Sequence, residues 1–225
     1  MMKKISVAID GPGGAGKSTA AKALAGRFGF AYVDTGAIYR TIGLAVLRAG
    51  ADPTAEDQVR PLLQDIRVEL DYDEAGFQHM LLNGEDVSGE IRMPEISAYA
   101  SKVSALPAVR AALLELQREQ AAKRSVVMDG RDIGTVVLPD ATLKIFLTAD
   151  PEVRARRRWE ELRQRGTPQD FDAVLRDMQE RDLRDSTRAA APLKPAEDAV
   201  VLDSTELSFQ QMLDALSELV EEKLK

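Results

Sequence analysis

One glycine-rich segment, Gly11–Ser18, limits the possible folds of this chain more than any other feature. Its residues are Gly-Pro-Gly-Gly-Ala-Gly-Lys-Ser, which fits the pattern Gly-x-x-x-x-Gly-Lys-Ser/Thr. Chance would supply such a match in only about 1% of chains of this length. An apolar run, Ile5–Asp10, comes before it, and Lys17–Phe28 has one apolar side, as in a helix. A strand, a glycine loop and a helix in that order predict a phosphate-binding loop.

The chemistry of the loop follows from its residue types. Glycines let backbone N–H groups point at a polyanion, and the N-terminus of the following helix adds a favourable field. We expect Lys17 to reach the β- and γ-phosphates of a nucleoside triphosphate, and the Ser18 hydroxyl to ligate Mg²⁺. The predicted nucleotide-binding residues of the loop are Gly11, Pro12, Gly13, Gly14, Ala15, Gly16, Lys17, Ser18 and Thr19.

Apolar runs and helical periodicity alternate along most of the chain. Buried strands are predicted at Ile5–Asp10, Ala31–Val33, Ser125–Asp129, Leu143–Leu147 and Ala199–Asp203. Helices are predicted at Lys17–Phe28, at Gly36–Arg48, after a Thr54 cap, at Pro107–Lys123, from an Asp150 cap to about Arg165, at Phe171–Ser186, and after a Ser208–Gln211 capping box. This order predicts a doubly wound α/β domain with right-handed crossovers.

One segment departs from this alternation. Ile66–Tyr72 alternates apolar and charged residues, a turn-rich stretch follows, and Phe77–Leu82 is a second run before Asn83 and Gly84. A period of two around a turn predicts a small antiparallel hairpin or meander. We therefore expect a small antiparallel sheet inserted into the α/β domain.

Composition excludes several classes of protein. The chain has no cysteine, so disulfides, thiolate metal sites and cysteine nucleophiles are excluded, and a reducing cytosol is the expected compartment. A formal net charge of −7 and only 5% aromatic residues argue against nucleic-acid and anionic-membrane partners. The first apolar run is too short for a signal peptide or a membrane span.

A phosphate loop indicates a nucleoside triphosphate but leaves the reaction open. The Asn-Lys-x-Asp guanine reader of GTPases is missing, because the only asparagine, Asn83, is followed by glycine. The chain is also short for a motor or a large ATPase. A small kinase is the favoured class, and an ATP-binding switch that does not transfer a phosphoryl group to a nucleotide is the alternative.

Two arginines indicate the kind of acceptor. Arg40 follows the second predicted strand and Arg131 the third, and open α/β sheets bind ligands at the carboxyl ends of their strands. We therefore expect both to converge beside the phosphate loop on an acceptor that is itself a phosphate. The residues offer no obvious general base, and a phosphomonoester with its second pKa near ~6 needs none at pH 7.

Arginine is concentrated late in the chain. Ten of the 20 arginines lie between Asp150 and Ala190, a window without lysine. A window with arginine and no lysine is typical of bidentate recognition of phosphate or carboxylate. The alternative is a pair of surface helices linked by salt bridges.

These features together resemble the bacterial cytidylate kinases, and the resemblance covers essentially the whole chain from Ile5. The matching stretches are Asp10–Thr19, Asp34–Arg40, Asp86–Arg92, Ser101 with Arg110, Asp129–Val137, Glu180–Arg188 and Ala191–Leu193. The resemblance implies that ATP and CMP or dCMP give ADP and CDP or dCDP, with Mg²⁺. A kinase for another small acceptor, such as UMP, is the alternative within enzymes.

The resemblance also implies a single P-loop kinase domain with a five-stranded parallel sheet flanked by helices. Its core would comprise residues 1–35, 104–150 and 190–225. A nucleoside-monophosphate-binding part would span about 36–103 and contain the inserted small sheet at about 62–100. A short helical lid would span about 151–170. A cytosolic monomer is expected.

The site residues are carried over by the same resemblance. The catalytic residues would be Lys17, Arg131, Arg157 and Arg181, with Arg157 one of four lid arginines (Arg154, Arg156, Arg157, Arg158) that would close over ATP. The substrate-binding residues would be Thr35, Tyr39, Arg40, Ser101, Arg110, Arg131, Asp132, Arg181, Asp185 and Arg188. The predicted metal-site residues are Ser18 and Asp129. Asp129, which ends a predicted buried strand, is a candidate for holding metal-bound water, and a helix or loop cap is its alternative role.

Overall fold

The structure is a computed structural model that describes residues 4–74 and 76–225. Within these residues the strands are β1 (Ser6–Asp10), β2 (Ala31–Asp34), β3 (Val68–Tyr72), β4 (Gln78–Leu82), β5 (Glu85–Asp86), β6 (Val126–Gly130), β7 (Leu143–Thr148) and β8 (Val200–Asp203). The helices are α1 (Lys17–Phe28), α2 (Thr35–Arg48), α3 (Glu56–Leu62), α4 (Pro94–Val103), α5 (Pro107–Lys123), α6 (Pro151–Gln164), α7 (Phe171–Thr187) and α8 (Phe209–Leu224). No helix in the described part of the chain is both long and apolar enough to cross a membrane.

The strands form the two sheets that the sequence predicts. Five of them make a parallel sheet in the order β2-β6-β1-β7-β8, and three make an antiparallel sheet in the order β3-β4-β5. Helices flank the parallel sheet. The predicted fold class is therefore confirmed.

The chain divides into two compact units. The first contains Lys4 and Phe30–Val126, and the second contains Ile5–Gly29 and Val127–Lys225. The expected division into core, acceptor-binding part and lid stays a prediction.

Buried apolar strands hold the second unit together. In the parallel pairs, Val7 lies opposite Leu143 and Ile145 lies opposite Val200. Val7, Ile9 and Leu147 are fully buried, as expected for strands covered on both faces. Helix α1 packs on α8, which begins at the predicted Ser208–Gln211 capping box.

The expectation that β8 is a buried strand is wrong. Val200 is 40% exposed and Val201 is 58% exposed. The reason is position, because β8 is the last strand in the sheet order and follows β7 at the edge. Apolar composition alone does not distinguish an edge strand from a central one.

Helices α6 and α7 pack against each other within the second unit. Asp150 caps α6 as predicted, and its carboxylate accepts a hydrogen bond from the Glu152 N–H at 2.8 Å. The Trp159 ring on α6 lies nearly perpendicular to the Phe171 ring on α7, with 6.4 Å between centroids. Its indole N–H donates to the Gln169 carbonyl at 2.9 Å.

The first unit has its own apolar core, in which α2 packs against α4. Gly43 makes this approach possible, since a Cβ there would lie 2.9 Å from the Ala100 backbone nitrogen. Helix α4 was not among the predicted helices. Its signal was present, because Ile96, Ala100 and Val103 recur at helical spacing and are buried.

The small antiparallel sheet also lies in the first unit. Val68 pairs with Leu82 and Tyr72 with Gln78, which confirms the predicted hairpin, and β5 adds a short third strand. The predicted cap of α3 is wrong. Ala55 occupies the N-cap position, because the Thr54 hydroxyl and N–H both bond the Asp52 carboxylate, at 2.7 and 2.8 Å.

Candidate active site

The phosphate loop connects β1 to α1 in the second unit. Gly14 and Gly16 have φ values of 73° and 90°, which favour glycine. A Cβ on Gly11 would lie 1.9 Å from the Leu147 carbonyl oxygen, and one on Gly14 would lie 2.7 Å from the Arg154 carbonyl oxygen. The loop is packed so tightly on β7 and α6 that these positions exclude other side chains.

Lys17 begins α1 and is buried, with 5% of its surface exposed. Its Nζ donates to the Pro12 carbonyl at 2.7 Å. Burial lowers its pKa well below the ordinary value, and Arg131 adds to that lowering, while Asp129 opposes it. An anion placed in the loop would restore a favourable environment for the ammonium charge.

Ser18 and Asp129 meet beside the loop. The Ser18 hydroxyl donates to Asp129 Oδ2 at 2.7 Å, and Asp129 is 4% exposed. A hydroxyl next to a carboxylate is a donor set that fits Mg²⁺, which takes few protein oxygens and completes its shell with water and phosphate. No group of three or more His, Cys, Asp or Glu side chains within residues 4–74 and 76–225 is placed to hold an ion alone.

Asp10, the last residue of β1, joins the phosphate loop to a second functional segment. Its two carboxylate oxygens accept hydrogen bonds from the N–H groups of Ile133 and Gly134, each at 2.7 Å. Those amides open a π-helical turn, Ile133–Val137, directly after Arg131 and Asp132. Burial raises the pKa of Asp10 to about 6, against the opposing effect of the two amides. The sequence analysis gave Asp10 no role beyond ending the strand.

Asp10→Asn should change how the free energy of unfolding depends on pH, because Asp10 is buried. Because its folded pKa lies near 6 and its ordinary value is 3.8, the folded protein holds this proton more tightly than the unfolded chain. The resulting stabilisation is full below 3.8 and is lost as the pH rises through 6. Asparagine does not titrate. The unfolding free energy of the variant minus that of wild type should therefore rise by about 3 kcal/mol from about pH 3 to about pH 8. Urea unfolding at several pH values measures this; a pH-independent difference would contradict it.

Three arginines surround Asp185 near the end of α7. Its carboxylate lies 3.0 Å from Arg131 Nε, 3.9 Å from Arg181 Nε and 4.0 Å from an Arg188 terminal nitrogen. Burial alone would raise the pKa of Asp185, but the arginines outweigh it and hold the pKa below the ordinary value. The site therefore carries excess positive charge around one buried carboxylate.

Two contacts extend this cluster. Arg188 lies 3.4 Å from the Asp132 carboxylate, and both side chains are buried. The Arg131 guanidinium lies 3.8 Å from the place that a Cβ on Gly13 would take, so it borders the phosphate loop. The second unit thus groups eight of the predicted residues: Lys17, Ser18, Asp129, Arg131, Asp132, Arg181, Asp185 and Arg188.

The four arginines of the predicted lid have different contacts. Arg154 is buried and donates to the carbonyls of Ala149 and Gly13 and to Asp182. Arg157 bonds the hydroxyl and carbonyl of Ser204. Arg158 pairs with Glu161 at 2.8 Å, as in the surface-helix alternative, and Arg156 lies over the Phe171 ring.

The remaining predicted substrate-binding residues belong to the first unit. Asp34 caps α2 and pairs with Arg40 at 2.8 Å. Arg110 lies over the Tyr39 ring, 5.5 Å from its centroid, and donates to the Ser104 carbonyl at 3.0 Å. Thr35, Tyr39, Arg40, Ser101 and Arg110 therefore form the second group, and the convergence of Arg40 with Arg131 stays a prediction.

Known proteins resemble this chain along its full length. The family model "Cytidylate kinase" matches residues 7–222. A cytidylate kinase from Caldicellulosiruptor saccharolyticus is 49% identical over 218 residues, which is 97% of this chain and 96% of the relative. One from Mannheimia succiniciproducens is 46% identical over 225 residues, which covers both chains completely. One from Mycobacterium avium is 49% identical over 224 residues, covering 99% of this chain and 98% of the relative.

A solved structure supports the fold independently. The crystal structure of an uncharacterized protein from Eubacterium ventriosum matches 97% of this chain and 99% of its own length. The TM-score is 0.54 and the sequence identity is 14%, so the likeness shows the fold alone.

Proposed function

The chain belongs to the cytidylate kinase family, and on that premise we propose that it transfers the γ-phosphoryl group of ATP to CMP or dCMP. The products are ADP and CDP or dCDP. The observation that supports this best is the arginine cluster around Asp185, in the same unit as the phosphate loop and bordering it at Gly13. A phosphate loop next to such a cluster suits an anionic acceptor.

The loop residues bind ATP in this proposal. The residues Gly11–Thr19 enclose the phosphates, with backbone N–H groups from all of them except Pro12, and Lys17 contacts the group that is transferred. Ser18 and Asp129 would hold Mg²⁺, which would supply positive charge that favours the negative charge of the phosphates.

Transfer follows from positioning and electrostatics. The phosphate of CMP is already an anion at pH 7, so its oxygen attacks without a general base. The O–P bond to the acceptor forms as the bond to the leaving ADP oxygen breaks. Arg131, Arg157 and Arg181 stabilise the charge spread over the transferred group, and fixed cations cost no reorganisation when the reaction occurs.

The acceptor residues divide by chemistry. Arg40 and Arg131 bind the phosphate of CMP, with Thr35 and Tyr39 beside them. Asp185 and Arg181 bond the ribose hydroxyls. Asp132 and Arg188 recognise cytosine, which presents an amino donor next to acceptor atoms, and Ser101 and Arg110 are further proposed ligands of CMP.

Arg154 has another role in this proposal. Its contacts to Gly13, Ala149 and Asp182 support a part in holding the phosphate loop on α6 and α7. Of the four lid arginines, Arg157 remains the proposed ATP ligand.

A coupled assay of ADP formation tests the proposal. CMP, dCMP, UMP, AMP and shikimate are each added with ATP and Mg²⁺, and the highest kcat/KM is expected with CMP or dCMP. A clear preference for UMP, AMP or shikimate would indicate a kinase for another acceptor. Turnover that no acceptor stimulates would favour the ATP-binding switch.

Asp132→Asn tests whether Asp132 distinguishes cytosine from uracil. An ionised carboxylate only accepts hydrogen bonds, so it attracts the amino group of cytosine and repels the O4 of uracil. We expect kcat/KM for CMP to fall about 5–150-fold, much more than for UMP, with the KM for ATP little changed. Steady-state assays with both nucleotides measure the ratio. An unchanged ratio of the kcat/KM values for CMP and UMP would show that Asp132 does not recognise the base, and the arginines would then be the candidates.

The assembly and location remain part of the proposal. We expect a monomer in the cytosol that binds small nucleotides and neither nucleic acid nor membrane. Sedimentation at several protein concentrations, with and without nucleotides, tests the oligomeric state. A stable dimer would contradict that expectation.

A further inference from the structure

A side chain of the small antiparallel sheet holds the backbone at the end of β2. Gln78, the first residue of β4, accepts a hydrogen bond from the Asp34 N–H at its Oε1, at 2.8 Å. Its Nε2 donates to the Asp34 carbonyl at 3.3 Å. One amide thus bonds both polar groups of a single peptide residue, as a neighbouring strand would do. All of these atoms lie in the first unit.

The Asp34 side chain passes this constraint to α2. Its Oδ1 accepts a hydrogen bond from the Ala37 N–H at 2.8 Å and caps the helix. Its Oδ2 accepts one from Arg40 at 2.8 Å. The carboxylate therefore fixes both the start of the helix and the direction of the arginine one turn later.

Arg40 is prepared for an anion by this arrangement. Its Nε is buried and has no hydrogen-bond partner within the described residues. Gly36 leaves the space that the pair occupies, since a Cβ there would lie 3.0 Å from an Arg40 terminal nitrogen and 3.1 Å from Asp34 Oδ1. A buried guanidinium N–H without an acceptor costs free energy, which a phosphate oxygen would recover.

We infer that Gln78 is a positioning residue for acceptor binding and that it acts through Asp34 on Arg40. The inference rests on the proposed function, in which Arg40 binds the phosphate of CMP. The inserted sheet then has a role in the reaction, because Gln78 on its strand β4 sets the position of Arg40 on α2, and Arg40 contacts the phosphate of CMP. A small displacement of such a ligand is enough to lose much of its effect.

The first unit offers a matched control. Tyr72, on β3 of the same small sheet, donates its hydroxyl hydrogen to the Tyr32 carbonyl at 3.1 Å. This bond also ties the small sheet to β2, but it does not reach Asp34 or Arg40. Tyr72→Phe therefore removes a tie of the same kind and leaves the proposed chain of contacts intact.

The first experiment compares Gln78→Ala with Tyr72→Phe in the full chain. We expect Gln78→Ala to raise the KM for CMP about tenfold and to change the KM for ATP less than about twofold. Tyr72→Phe should change both by less than about twofold. Gln78→Met keeps the side-chain volume without the two hydrogen bonds, and it should reproduce the effect even if the alanine variant folds poorly. Equal effects of Gln78→Met and Tyr72→Phe would overturn the inference.

A double-mutant cycle with Arg40→Ala tests the route. If Gln78 acts through Arg40, Gln78→Met should have little further effect on the KM for CMP once Arg40 is removed. Additive effects would show that Gln78 acts elsewhere and would overturn the inference. Failure of the proposed function looks different, because wild type itself would then show no turnover that CMP stimulates.

Discussion

Lys17→Ala should lower kcat by about 10²–10³-fold while the protein stays folded, which corresponds to about 2.7–4 kcal/mol of lost transition-state stabilisation. The ammonium group is held at the loop by the Pro12 carbonyl, where it would contact the transferred phosphoryl group. Its burial, which lowers its pKa, is unfavourable in the absence of an anion, so alanine should not lower the unfolding free energy. Single-turnover kinetics with ATP and CMP and thermal unfolding measure the two effects.

The same helix supplies the control for that prediction. Lys22 is exposed on α1, and Lys22→Ala removes a positive charge of equal size away from the loop. It should leave kcat within about twofold of wild type, as surface substitutions usually do. Turnover like that of wild type in Lys17→Ala would show that the phosphate loop is wrongly assigned.

Asp185→Ala is the second substitution with a large expected effect. It removes the carboxylate that three arginines share, of which Arg131 and Arg188 are largely buried, and Arg131 loses its carboxylate partner. We expect the unfolding free energy to fall by about 3–5 kcal/mol. We also expect kcat/KM for CMP to fall by at least about 10²-fold under conditions where the variant is folded. The CMP/dCMP ratio should change as well, because Asp185 is the proposed acceptor for ribose hydroxyls.

The pH dependence checks the cause of the stability loss. The folded pKa of Asp185 lies below its ordinary value of 3.8, so its stabilising effect is present above 3.8. It is lost as the pH falls through the folded pKa, and the stability difference between wild type and Asp185→Ala should shrink there. Asp177→Ala, an exposed position on α7, is the control and should show a small difference. A wild-type advantage that grows in acid would contradict the account.

Local signals were enough for much of the fold. The phosphate loop, the Asp150 cap and the Ser208–Gln211 capping box depend on backbone geometry within a few residues, and the sequence shows these directly. The hairpin was also predictable, because its alternation and turn are local. The burial of β8 was not, because strand order in a sheet depends on segments far apart in the chain.

The predicted site did not include Asp10 and Gln78, which hold the backbone of other segments in place. Asp10 bonds amides 123 and 124 positions further along the chain, and Gln78 bonds a residue 44 positions earlier. A lone acid after a strand and a lone amide in a hairpin are common in any sequence, so neither was distinctive. The lid arginines show the same limit, since their residue type is identical and only the fold gives Arg154 its contact to Gly13.

The packing of Trp159 between α6 and α7 has an optical consequence. The chain contains one tryptophan, so its intrinsic indole emission comes from this helix pair alone. The ring lies nearly perpendicular to Phe171, has Arg163 4.7 Å from its centroid and donates its N–H to the Gln169 carbonyl. A cation and a polarised N–H so close to the ring make the emission wavelength sensitive to any rearrangement of these three groups. A shift of the tryptophan emission maximum when the unlabelled protein is titrated with ATP or with CMP would therefore show which nucleotide moves this pair of helices.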